Sequence, residues 1–252
     1  MLTPKRSDDI QDLISYFQQL KGLDHIEREG ASDADIDEFA RLAAEYSPSA
    51  GPLPELLRSY FREFGRRDPV LEMADDGMPK ISLLILTYRE IWTADYKDVP
   101  PGAIRISTDG LTGGRALVYP KGRGGKSDAE PQVVRCWGHD LDAPMAVSFQ
   151  NHLYQQAFCK GRFPSGANYR GLLTKSVEEF DSLRELAERQ GFAPLWFSDS
   201  FTQCMERDDS TWFVMNHQST DEIYAYLSGR NSATLDAVRD AFLKQFKMHT
   251  WP

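Results

Sequence analysis

Apolar residues recur at Ile10, Leu13, Ile14, Phe17 and Leu20, a spacing of three and four that places them on one face of a helix. Ser7 offers that helix an N-cap and Gly22 a stop just past its end. A second helix is predicted from Ser32. Ser32-Asp33-Ala34-Asp35 has the form of a capping box with the shorter acid, and Ile36, Phe39, Ala40 and Ala43 follow on one face. Ser47 to Pro52 breaks the pattern. A third helix then carries Leu53, Leu56, Leu57, Tyr60, Phe61 and Phe64 as a broad apolar stripe. Gly65 ends it, and Arg66-Arg67 suit the negative end of its dipole. The densest apolar run, Ile81 to Leu86, is far too short to cross a bilayer.

Beyond residue 100 the period changes to two. Ala103–Ser107 and Arg115–Tyr119 read as antiparallel neighbours in one sheet, with Asp109-Gly110 and Gly113-Gly114 as turn chemistry between them. The Leu53–Phe64 helix is expected to cover that sheet. Lys121 to Glu130 reads as a polar hairpin tip. Val133–Trp137 is the next strand and Gly138-His139-Asp140 its turn; Met145–Phe149 extends the sheet and Leu153–Phe158 begins a helix. Gly161 to Tyr169 holds a Pro, two Gly, a Ser and an Asn, which sets a boundary between residues 1–164 and a C-terminal α+β extension of residues 165–252. There, Val177–Gln190 reads as a helix and Leu195–Phe197, Trp212–Met215 and Ile223–Leu227 as short strands. A last helix, capped by Asn231-Ser232, runs through Leu235, Val238, Phe242 and Phe246. Helices and strands do not alternate regularly, so the predicted class is α+β and not a wound parallel sheet.

The chain has 252 residues, 41% of them hydrophobic and 27% charged, enough for one large core or two small ones. Its 38 acidic residues outnumber 29 basic ones, giving a net charge of −9. That sign argues against a nucleic-acid partner, whose phosphates need a basic surface. Cys136, Cys159 and Cys204 lie far apart with no C-x-x-C spacing, which fits a reducing cytoplasm better than a disulfide framework. Lys5-Arg6 lead into Ser7-Asp8-Asp9 and an amphipathic stretch, not the apolar core of a secretory leader. A cytoplasmic protein with no membrane partner is therefore expected.

Candidate chemistry changes this picture little. His25, His139, His152, His217 and His249 are scattered, and none pairs at helical spacing around an acid as zinc ligands would. His139, beside Asp140 in a turn, reads as a surface hydrogen-bonding residue and not as a general base. Gly113-Gly114 and Gly122-x-Gly124-Gly125 lack the strand before and helix after that a phosphate loop needs, so they read as hairpin glycines. Ser148 and Ser198-Asp199-Ser200 lack a nucleophile elbow, and no cation cluster flanks Cys136 or Cys159. Asp75-Asp76-Gly77 opens like a calcium loop but lacks the later ligands. The expectation is a chain with no catalytic residue, cofactor or metal. Trp137, Trp196, Trp212 and Trp251 fall in apolar phase and read as core. Trp92 and Tyr96 differ, because acids surround them in Trp92-Thr93-Ala94-Asp95-Tyr96-Lys97-Asp98.

Several segments together resemble a known family. Ile36-Asp37-Glu38-Phe39, then Pro52-Leu53-Pro54-Glu55-Leu56-Leu57 running through Tyr60-Phe61 to Gly65, then Asp68-Pro69-Val70-Leu71, are similar to the opening of the SMI1/KNR4 (SUKH) superfamily. Ala103 to Gly110, Leu117-Val118-Tyr119, Val133 to Asp140 and Ser148-Phe149 look like its central strands and following helix. The resemblance runs over residues 32–160 and departs at Arg66-Arg67, where the family often closes its helix with a glycine pair. It implies a non-catalytic protein-binding module. Bacterial members are often immunity proteins that neutralise a toxin, and fungal members act as regulators or scaffolds. An acidic inhibitor also suits a basic toxin domain such as a nuclease, because complementary charge speeds encounter. The expected docking surface is the acidic segment after the third helix: Glu72, Asp75, Asp76, Asp95 and Asp98, with Trp92 and Tyr96 as anchors.

Overall fold

A computed structural model describes residues 4–20, 27–67, 80–90, 99–108, 113–120, 130–162, 168–174, 179–208, 210–217, 222–246 and 248–251. The fold is α+β with antiparallel sheets, and the chain divides into two units. One contains residues 7–14 and 25–153, the other residues 1–6, 15–24 and 154–252. Among the described residues, no helix is long and apolar enough to cross a membrane.

The first unit opens with the start of α1 (Ile10–Gln18). Its cap lies two residues later than expected: Asp9 Oδ1 accepts from the Gln11 N–H at 2.9 Å, while Ser7 Oγ accepts from Asp9 N–H at 3.1 Å. In α2 (Asp33–Tyr46) the Ser32 hydroxyl caps as predicted, accepting from Asp35 N–H at 3.2 Å and donating to the Asp35 carboxylate at 2.7 Å. Ile36, Phe39, Leu42 and Ala43 form its buried face, and Ala40 is half-buried at the margin. In α3 (Glu55–Phe64), Leu57, Tyr60, Phe61 and Phe64 turn inward, and the Phe39 ring meets Phe61 edge-on at 5.6 Å between centroids.

The run at Ile81 forms a helix, α4 (Ile81–Glu90), that the apolar pattern did not announce. Ile81, Leu84, Ile85 and Tyr88 are buried at positions i, i+3, i+4 and i+7, whereas Leu86 is 46% exposed. Apolar side chains on both faces had masked that period. This helix packs on the first strand. The Tyr88 hydroxyl accepts from the Arg105 backbone N–H at 2.9 Å.

Strands β1 (Ala103–Thr108), β2 (Gly113–Val118), β3 (Gln132–Trp137) and β4 (Asp140–Ala146) form one sheet in that order, antiparallel throughout. The β1–β2 pairing is as predicted, but Gly113 and Gly114 lie within β2 and not in its turn. The Ser107 carbonyl explains why glycine stands at 114, and Arg105 crowds the same place. Arg105 is buried, and its side chain donates from Nε to the Ser107 carbonyl at 3.1 Å and from Nη2 to the Gly113 carbonyl. A Cβ on Gly114 would collide with the Ser107 carbonyl oxygen and lie 3.1 Å from Arg105 Nε. Gly114→Ala is therefore expected to destabilise the protein by roughly 2 kcal/mol, seen as a lower urea midpoint. An unchanged midpoint would refute this account. After β4 the chain enters α5 (Phe149–Ala157), so Phe149 is helical and not a strand residue; Ser148 Oγ caps it, accepting from Asn151 N–H at 3.0 Å.

The second unit holds a six-stranded antiparallel sheet. Its strands are β5 (Asn168–Thr174), β6 (Ala193–Pro194), β7 (Thr202–Arg207), β8 (Ser210–His217), β9 (Glu222–Gly229) and β10 (His249–Trp251), in the order β10-β5-β9-β8-β7-β6. Helices α6 (Phe180–Arg189) and α7 (Ser232–Gln245) bury Leu183, Ala187, Leu235 and Phe242 in one core with Trp212. Asn231 caps α7 as its sequence predicts, accepting from Thr234 N–H at 3.2 Å. Leu195–Phe197 is a turn and not a strand, closed by Ser198 N–H on the Leu195 carbonyl at 2.9 Å; the sheet pairing falls on Ala193 and Pro194 instead. Neither β5 nor β7 was foreseen.

Candidate functional site

All seven residues expected to meet a partner, Glu72, Asp75, Asp76, Trp92, Asp95, Tyr96 and Asp98, lie outside the described residues. So do His25, Asp109-Gly110 and the glycines of Lys121–Gly125. Among the described residues, no group of three or more His, Cys, Asp or Glu could hold a metal ion.

The remaining sequence candidates fall into structural places. His139 is an exposed turn residue with Nε2 at 3.6 Å from Asp140 Oδ1. Ser198 Oγ accepts from Cys204 N–H at 2.9 Å and donates to the Cys204 carbonyl at 2.7 Å. Asp199 receives the N–H groups of Phe201 and Thr202, each at 2.9 Å. Serine and aspartate thus tie a loop down instead of activating each other. Cys136 and Cys204 are buried thiols, and burial pushes the Cys204 thiol well above its ordinary pKa, which disfavours the reactive thiolate. His152 in α5 has no exposed surface, and neither ring nitrogen has a hydrogen-bond partner among the described residues. Burial holds its pKa well below the ordinary value, and the Arg115 guanidinium adds to that.

Two places are built differently. The first is the end of the β3–β4 hairpin. Gly138 takes a φ of 58° in the two-residue loop, the conformation such a hairpin demands of its glycine. Trp137 closes β3 with 64% of its surface exposed, which corrects its reading as core. The alternation that suggested burial stops where the strand outruns its covering, and Trp137 is that last residue. Leu141 is 42% exposed on β4. Below them Arg135 holds Asp142 at 2.6 Å.

The second place lies within the six-stranded unit. After Ala157 the chain widens into a π-turn, Phe158–Arg162, a feature that often re-aims side chains. It directs Arg162 Nε to Glu206 Oε1 of β7 at 2.6 Å, with side chains 28% and 13% exposed. Around this pair lies a cavity of about 200 Å³, lined also by Pro4, Tyr16, Gln19, Leu20 and Leu195. The Trp196 indole N–H donates to the Pro4 carbonyl at 2.6 Å and fixes one wall. Tyr16 has its pKa raised well above the ordinary value, first by burial and then by Cys204 and Glu206. It therefore stays protonated near neutral pH, able to donate a hydrogen bond but not to act as a base. Arg162 and Glu206 stand 44 positions apart, so no local motif could have announced them. Compared with protein-family models, with curated proteins and with solved structures, the chain matches none.

Proposed function

We propose that this chain is a non-catalytic protein-binding module of the immunity type, which neutralises a basic toxin domain. The charge carries the reading: 38 acidic residues against 29 basic ones attract a cationic domain and raise its association rate. The resemblance of residues 32–160 to the SUKH superfamily supports it, and so do two large apolar side chains, Trp137 and Leu141, left exposed together at one hairpin end. The test is calorimetric titration of the chain with the purified product of a toxin gene beside its own. A stoichiometric complex with Kd on the order of nanomolar, and loss of the toxin's activity, are expected. No binding would overturn the reading. A second reading, a small-molecule binder or enzyme, draws on the Tyr16, Arg162 and Glu206 cavity. The same titration separates the two, since neutralisation that survives Tyr16→Phe leaves the cavity without a part in it.

A further inference from the structure

The hairpin end has a geometry that says more than exposure alone. Residues directly opposite in an antiparallel pair share a face of the sheet. Trp137 stands opposite Asp140 on one side and Gly113 on the other, so glycine leaves the indole unshielded along β2. Leu141 stands opposite Cys136, one position along, and therefore turns to the other face. The hairpin end thus presents a large apolar side chain on each face. That is the form of a wedge, suited to a cleft and not to a flat surface.

Its rim is acidic. The Asp140 side chain is 79% exposed beside Trp137, whereas the charge of Asp142, two positions further, is balanced by Arg135. A second copy of this chain fits poorly, because each copy carries a net charge of −9. Strand addition fits poorly too. The outer strand β4 bears Pro144, Asp140 and Asp142 and shifts register against β3 twice, devices that block pairing at a sheet edge. What suits the wedge is a protein cleft with apolar depth and basic walls.

We propose that the β3–β4 hairpin end is the docking wedge of this chain, with Trp137 as its buried anchor in a basic cleft of the partner and Asp140 as its steering charge. This rests on the protein-binding reading above and assigns the contact to residues other than the Glu72–Asp98 acids and aromatics. The probe is the same purified toxin-gene product, with rates measured at two salt concentrations. Trp137→Ala is expected to speed dissociation about 30-fold, the size of a single interfacial hot spot, and Leu141→Ser to speed it several-fold. Asp140→Asn is expected to slow association several-fold at low salt and to leave dissociation nearly unchanged. Circular dichroism and thermal melting should match the wild type, since Trp137 lies on the surface. If wild-type protein binds and Trp137→Ala binds with unchanged rates, this proposal falls and the protein-binding reading stands. If wild-type protein does not bind, both fall. A concentration-dependent dimer in sedimentation that Trp137→Ala abolishes would assign the wedge to a second copy and overturn the proposal.

Discussion

Replacing Trp212 with alanine is expected to destabilise the protein by about 3–5 kcal/mol, the range found when a large aromatic leaves a packed core. Trp212 has no exposed surface and stacks on Phe242 of α7, with ring centroids 4.3 Å apart and planes 23° from parallel. Its indole N–H donates to Gln203 Oε1 at 3.2 Å, and Gln203 Nε2 donates in turn to the Phe180 carbonyl at 2.7 Å. One side chain thus fastens β7, β8, α6 and α7 of the six-stranded unit. Alanine leaves a cavity and also strands the Gln203 oxygen in an apolar core, so the two penalties add. Trp212→Phe keeps most of the stacking and loses only the hydrogen bond, and about 1–2 kcal/mol is expected from it. Urea unfolding of both variants checks the order. A Trp212→Ala protein within 1 kcal/mol of wild type would mean that the core relaxes around the gap.

Acid is expected to unfold the protein through His152. Its native pKa is depressed, while in the unfolded chain it returns to about 6.5. Above that pH neither state holds the proton, so His152 gives stability no slope. Below it the unfolded state binds a proton that the native state refuses. Stability then falls by about 1.4 kcal/mol per pH unit until the native pKa is reached. Glu38, held down to about 2 by hydrogen bonds from Arg41 and then Arg89, is a half-buried group whose pH dependence begins only near the ordinary carboxylate range. The interval from pH 6.5 to 4.5 is therefore where the histidine should stand out. His152→Leu removes the proton site and two buried nitrogens without partners, so it should match or exceed wild type at pH 7.5. Its advantage should grow steadily as the pH falls below 6.5. Parallel stability curves for the two proteins would show that His152 takes up its proton within the fold.

The elements that could be read in the sequence are those with local signals at both ends. Ser32 and Asn231 cap their helices through their own side chains, and Ile36, Phe39 and Ala43 keep the period in between. The β1–β2 pair was legible because both strands fall within sixteen positions. What escaped depends on distant partners. Strand β5 is completed by β9 and β10, and nothing in Asn168–Thr174 itself names them. Gly114 looked like a turn residue because the reason for it, the close approach of the Ser107 carbonyl on the neighbouring strand, is set by the strand pairing and not by its own neighbours in sequence. The same holds for function: Trp137 has the phase of a core residue and loses its cover only at the sheet's end. Arg162 meets Glu206 only after the π-turn re-aims it.

The two buried thiols have a use of their own. Cys136 sits in β3 and Cys204 in β7, one in each sheet, and both are wholly shielded. A thiol-alkylating reagent can reach either one only when its surrounding strands part, so each labelling rate measures the opening free energy of its own sheet. Half-buried Cys159 serves as the reference for reagent reactivity in the same tube. The natural chain therefore carries a separate clock in each unit. Counting modified peptides over time would tell whether the two sheets open together as one cooperative body or independently, with no probe introduced.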